Sequence, residues 1–184
     1  MYPSRQRDEP VLLSHLFHND ALYFLAMIRS GFSLLELMVV VAIVAILAMI
    51  AVPSYLFERQ QDEVANAYRL AETVRDEISD YYYTTLSFPA DNSEAGLPEP
   101  EQLIGNRVTR IEIEDGAIHI TLGNKAAQSL QGKTVSLRPA IVTDSPNSPV
   151  SWLCGHEQPV AGMEAVGEDR TDINQGLIPV SCDN

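Results

Sequence analysis

Apolar and polar positions change their rhythm several times along this chain. From Leu37 to Val52 every side chain is apolar, and the wider run from Phe32 to Val52 has a single ionisable interruption, Glu36. A membrane-spanning helix needs about 20 largely apolar residues, so this stretch predicts a helix able to cross a bilayer. Beyond Pro53 the apolar positions thin to Val64, Ala67, Tyr68, Ala71, Val74, Ile78, Tyr81 and Tyr82. Spacings of three and four predict an amphipathic helix to about Tyr82, with one face buried in a core. Glu58, Arg59, Asp62, Glu63, Glu72, Arg75 and Asp76 fall largely on the other faces. Pro53 removes a backbone donor and crowds the carbonyl of Met49, so a kink or local unwinding is expected there.

Leu86 to Asn106 is rich in Pro, Gly, Asn and acidic residues. It reads as a long loop, either a functional surface or a packed excursion. The clearest local signal comes next. RVTRIEIE, then Asp115-Gly116, then AIHITL spells a two-residue hairpin. That turn sets Ile113 opposite Ile118 and Ile111 opposite Ile120 on one face, with Glu112 opposite His119 on the other. A cross-strand polar pair accounts for His119. Thr134–Val142 and Val150–Cys154 read as further strands, with Pro139 weakening the first or placing it at an edge. Val150, Trp152 and Cys154 share a strand face by alternation. After Gly155 the periodicity is lost. The class is α+β: a long helix packed on an antiparallel sheet.

Composition changes this picture in two respects. The formal net charge is −13. Arg5, Arg7 and Arg29 cancel Asp8, Glu9 and Asp20, so the whole excess lies from Phe32 onward. Such a surface repels phosphate backbones, and Lys125, Lys133 and Arg138 are scattered in sequence, so direct nucleic-acid binding is not expected. Cys154 and Cys182 are the only cysteines. They are too far apart for a CxxC redox pair and too few for a closed zinc site. Two unrelated buried thiols and one disulfide both remain open, and passage into an oxidising compartment would favour the disulfide.

Two features set the apolar run apart from a plain anchor. A secretory signal has its small-residue cut site after the apolar core, whereas Ser30 and Gly31 precede it here. A cut there would leave the greasy helix on the mature chain. Glu36 is the second feature. A lone carboxylate in hydrocarbon costs roughly 2.5–3.5 kcal/mol on insertion scales and is usually paired or functional. Cleavage after Gly31 would create an α-amino group on Phe32, four residues before Glu36. Within one helix, or between neighbouring subunits, that ion pair could fix axial register.

The stretch GFSLLELMVVVAIVAILAMIAVP resembles the class III leader junction of type IV pilins and pseudopilins. The resemblance implies cleavage by a prepilin peptidase between Gly31 and Phe32, N-methylation of Phe32, an assembly role for Glu36 and a helix kink at Pro53. Met27 to Gly31 would make a complete short basic leader, so Met27 is a candidate true start, and Arg29 favours a cytoplasmic leader. The chain then divides into a leader (1–31), a hydrophobic helix (32–55) and a head (56–184). The run from W-x-C-G to P-x-x-C resembles the disulfide-bounded end of type IVa pilins, which implies a Cys154–Cys182 bond. In the chain-entropy model that bond is worth roughly 3–4 kcal/mol.

The implied function is that of a structural subunit, anchored in the inner membrane with its head in the periplasm and then polymerised with other copies of itself into an extracellular pilus. The implied partners are the prepilin peptidase/methyltransferase and the inner-membrane assembly machinery, with cytoplasmic ATPases extending and retracting the fibre. Adhesion, twitching motility or DNA uptake are the implied roles. A secretion-system pseudopilin or a minor pilin are the alternatives. Glu168, Asp169 and Asp172 could suggest calcium ligands, but they lack EF-hand spacing and read as a solvated acidic loop. A membrane-tethered enzyme is the reading from another class. The chain shows no nucleophile elbow, phosphate loop or metal-ligand cluster, and no cofactor is expected.

Overall fold

The computed structural model describes residues 31–179. The chain divides between Ala51 and Val52 into two units. Helix α1 (Leu34–Leu70) begins in the first and continues in the second. It runs through Pro53 as helix. The helical pattern is interrupted at Ala71, whose N–H is shared between the carbonyls of Ala67 (3.3 Å) and Tyr68 (3.0 Å). Helix α2 (Glu72–Thr85) follows and ends at Leu86, whose left-handed backbone (φ 56°) lets its N–H bond the Tyr82 carbonyl.

In the second unit a five-stranded antiparallel sheet packs on this helix: β1 (Val108–Glu114), β2 (Ala117–Leu122), β3 (Thr134–Val142), β4 (Ser151–Cys154) and β5 (Met163–Ala165). The hairpin register agrees with the sequence reading: Ile113 faces Ile118, Ile111 faces Ile120, and Glu112 faces His119. Asp115 (φ 49°) and Gly116 (φ 81°) supply the two positive φ values of the turn. A Cβ on Gly116 would meet the Phe88 ring and Cβ within 3.0 Å, so glycine is needed there twice over. The isoleucine face and the stripe Val64, Ala67, Tyr68, Ala71, Val74 and Ile78 form one core with Val135, Leu137, Trp152 and Cys154. Burying that apolar area is what makes the helix and sheet one body.

Four features differ from the sequence reading. Glu63 is not on an outer face: it is 4% exposed. Its Oε2 accepts the Ala127 N–H at 2.7 Å, while Arg107 (3.4 Å) and Arg59 (3.7 Å) face its Oε1. A buried carboxylate persists when charge and hydrogen bonds both answer it, and of its partners only Arg59, one turn before it, is visible to a helical wheel. Pro139 lies in the central strand, not at an edge. Ala140 pairs with Ser151 on one side and Ala165 on the other. The β2 pairing ends at Leu137 and β5 takes over from Ala140, so the missing N–H of Pro139 falls in the gap between two partners. Strand β5 itself lies where periodicity was lost. The fourth difference is His119, which is 2% exposed.

The cause of that burial is the chain after β5. Residues 166–172 cross the outer sheet face: Val166 N–H bonds the Pro139 carbonyl, Arg170 N–H bonds Ser136 Oγ, and Asp172 pairs with Thr134. Arg170 then reaches Glu114 and Glu112 on β1. His119 lies beneath, its Nδ1 3.0 Å from Ser136 Oγ. Burial, and then the Arg170 charge, hold its pKa below the usual value.

Residues 86–107 form a packed excursion that covers the outer edge of β1. Asn92, 4% exposed, pins it: its side-chain amide donates to the carbonyls of Pro98 (3.1 Å) and Ile111 (3.0 Å) and accepts the Ile113 N–H (2.8 Å). One side chain thus stands in for a neighbouring strand. Phe88 stacks on Tyr82 with ring centroids 4.4 Å apart.

Asn92→Ala leaves the Ile113 N–H and the Ile111 carbonyl without their partner, and we expect a loss of about 1–3 kcal/mol in thermal or denaturant unfolding. His119 gives a pH test. Its folded pKa lies below the unfolded value of 6.5, so its contribution is present above that value and lost as pH falls through the folded pKa. Melting temperature should drop between pH ~7.5 and ~5.5, with a shallower drop in His119→Gln. Equal slopes in the two proteins would contradict this assignment.

Candidate processing and assembly site

The site is built at the start of α1. Ser33 is the N-cap: its Oγ accepts the Glu36 N–H at 3.1 Å and its carbonyl accepts the Leu37 N–H at 3.1 Å. Ser33-Leu34-Leu35-Glu36 thus has the S-x-x-E form of a capping box, with Glu36 in the first turn. A carboxylate there is also favoured by the helix dipole. The spacing of Ser33 and Glu36 carries this capping role in the sequence itself, beyond the membrane role of the carboxylate.

Gly31 and Phe32 precede the cap. Among the described residues nothing lies within 4 Å of a Cβ built on Gly31. Packing among the described residues therefore makes no demand for glycine at this position. Phe32 is 74% exposed, and every residue from Gly31 to Arg59 is exposed. The helix that starts here is long and apolar enough to cross a membrane. None of its most apolar window is buried in protein. Among the described residues no ion pair reaches the Glu36 carboxylate. A contiguous apolar surface of this size marks contact with lipid or with other protein.

The second sequence-marked site is the tail. Cys154 ends β4 with its side chain in the core beside Trp152. Its N–H bonds Glu157 Oε2 at 3.1 Å, and Arg138 donates to the carbonyls of Gly155 (3.3 Å) and Glu157 (2.7 Å). Gly155 has φ +53°, and a Cβ there would meet Ile178 Cδ1 at 2.5 Å. The tail is seated by Ile173, Leu177 and Ile178 in the core and by Gln61, which donates to the Gly176 carbonyl at 2.7 Å. Cys182 lies outside the described residues, as do Met27 and the rest of the leader before Gly31.

The acidic tail residues are engaged locally. Asp172 accepts from Thr134 N–H (2.6 Å) and Lys133 Nζ (3.1 Å). Asp169 accepts from Thr171 N–H and lies 2.7 Å from His156 Nδ1. Glu168 lies 3.7 Å from Arg170. His156 is therefore turned to Asp169.

An exposed apolar helix that continues into an antiparallel head is the form of a subunit whose surface is completed by lipid or by other chains. Comparison with known proteins makes this specific. Residues 63–183 match the pilin (bacterial filament) family, and residues 27–52 match the prokaryotic N-terminal methylation motif. The chain belongs to the pilin family. It is 34% identical over 163 residues to a type IV major pilin protein PilE1 of Neisseria gonorrhoeae, covering 84% of this chain and 87% of that relative. A fimbrial protein of Neisseria meningitidis serogroup B is 32% identical over 139 residues, covering 75% and 78%. The fimbrial protein EcpC of Eikenella corrodens is 32% identical over 133 residues, covering 71% and 84%.

Ser33→Ala removes the cap acceptor, which typically costs about 1 kcal/mol of helix-end stability. In membrane-mimetic micelles the Glu36 amide should then exchange its hydrogen roughly fivefold faster, while the amide of Val44 is unchanged.

Proposed function

We propose that this chain is the structural subunit of a type IV pilus, made as a membrane-anchored precursor with its head in the periplasm and assembled into an extracellular filament. The observation that carries the proposal is the exposed apolar helix headed by Gly31, Phe32 and Glu36. By itself the chain offers this surface no protein partner among the described residues. Lipid satisfies it before assembly, and neighbouring copies satisfy it afterwards.

In this reading a prepilin peptidase cuts between Gly31 and Phe32 and Phe32 is N-methylated. The open space beside Gly31 among the described residues supports a requirement imposed by the enzyme and not by packing. The new amino group and the Glu36 carboxylate of a neighbouring copy then form an ion pair. Apolar contact sets no axial position, because one greasy turn slides on another at little cost. A charge pair in a dry setting has one good register, and every other register leaves a buried charge unanswered. Pro53 is the built-in weak point of the helix backbone, where a bend would be accommodated in the filament.

We assign a Cys154–Cys182 disulfide to the tail. What supports it is Ile178, already packed against Gly155 and only four positions before Cys182. No free cysteine stands among the described residues. The relatives are named as major pilins and fimbrial proteins, which favours a pilus subunit over a secretion pseudopilin. Adhesion, twitching motility and DNA uptake are the roles open to such a fibre, with the assembly machinery of the inner membrane as its partner.

Glu36→Leu should be produced and processed yet give filament yields reduced by at least tenfold. Mass spectrometry of sheared surface filaments from the parent strain should find Phe32 as the methylated first residue and a mass lower by two hydrogens at the cysteine pair. Normal filaments from the processed Glu36→Leu chain would sink the register argument. An unmodified residue before Phe32 in the filament would sink the processing site.

A further inference from the structure

The head carries its negative charge very unevenly. From Gly116 to Thr143 there is not one Asp or Glu, although the chain as a whole has a net charge of −13. Both lysines of the entire sequence, Lys125 and Lys133, lie in this stretch, in the β2–β3 connection. In sequence they look scattered. In the folded head that connection packs against the first turns of α1 beyond the apolar run. Leu56, Arg59, Gln60, Glu63, Lys125 and Ala127 line one groove there.

The two lysines differ in their surroundings. Lys133 is paired with Asp172 at 3.1 Å. Lys125 is exposed, and no carboxylate lies within 4 Å of it among the described residues. Arg59 beside it is half-exposed, its guanidinium 3.7 Å from the buried Glu63. Two positions before Arg59 the apolar run ends in Tyr55, Leu56 and Phe57, all exposed. Aromatic rings followed by basic side chains at the end of an apolar span are what a membrane–water interface selects. Glu58 and Asp62 are exposed on the same helix. By helical spacing Glu58 points away from the groove, while Asp62 lies at its margin one turn after Arg59, which leaves Lys125 as the cation without an acidic partner among the described residues.

We propose that this base of the head, Lys125 with Arg59 and the Tyr55–Phe57 collar, rests on anionic phospholipid headgroups while the subunit is still anchored as a monomer. The acid-free connection removes the repulsion that the rest of this head would meet at an anionic surface. Lys125 then supplies an unneutralised cation at headgroup depth. The contact holds the head of the waiting subunit against the bilayer and is given up when the helix leaves lipid for the filament. It presupposes the membrane-anchored precursor described above and adds the surface that precursor uses.

The test exploits the presence of only two lysines. The full chain is reconstituted into vesicles of phosphatidylcholine alone or of phosphatidylcholine with phosphatidylglycerol, and its amines are acetylated briefly. Modification at Lys125 relative to Lys133 is read by mass spectrometry. That ratio should fall severalfold in the anionic vesicles and recover at high salt, where surface electrostatics are screened. The chain should co-float equally with both vesicle types, because the apolar helix does the anchoring. An unchanged ratio in a chain that co-floats overturns this proposal and leaves the anchored precursor intact. A chain that fails to co-float overturns both.

Discussion

The head depends on one packing event: the stripe of α1 and α2 from Val64 to Tyr82 laid on the isoleucines of the β1–β2 hairpin. Neither surface is stable alone. A helix exposing such a stripe and a hairpin exposing four isoleucines would each seek another partner, and together they bury the apolar area that holds the unit. The side-chain period of a strand is two, so the Asp115-Gly116 turn decides which hairpin face meets the helix. A slip of one residue would present Glu112 and His119 to the stripe instead.

Once that core exists, a few polar side chains close its margins. Asn92 caps the free edge of β1 and seats the long loop there. Glu63 draws the β2–β3 connection onto the helix through the Ala127 amide and is held by two arginines. Arg170 reaches across the outer sheet face to β1 and seals His119 beneath it. Tyr68 links the helix to the Ser136 carbonyl at 3.3 Å, and burial raises its pKa well above the ordinary tyrosine value. Each of these groups would be costly in a dry interior without its partner, which makes them specific as well as stabilising.

The first unit follows the opposite logic. Its helix leaves apolar side chains exposed on every face from Leu34 onward, and its solvation must be completed outside the chain. A polymer subunit needs this division. The head has to be self-sufficient, so that it survives passage from lipid to fibre, while the helix has to remain unsatisfied until other copies arrive.

Elements whose cause is local are legible along the chain. The apolar run, the three-and-four stripe, the Asp-Gly turn and the hairpin register follow from side-chain period and turn chemistry. The motif residues Gly31, Phe32 and Glu36 were legible because they lie within a few positions of one another. What depends on partners far away in the chain emerges only once the chain is folded. Glu63 reads as a surface acid until Ala127 and Arg107 arrive, and His119 as half of a surface pair until residues 166–172 cross over it. Pro139 reads as an edge residue until β5 takes the place of β2 beside it, and the lysines as scattered until their connection folds against α1. Burial of a polar group is set by what covers it, and covering is long-range. Periodicity is set by the backbone, and is written in the chain.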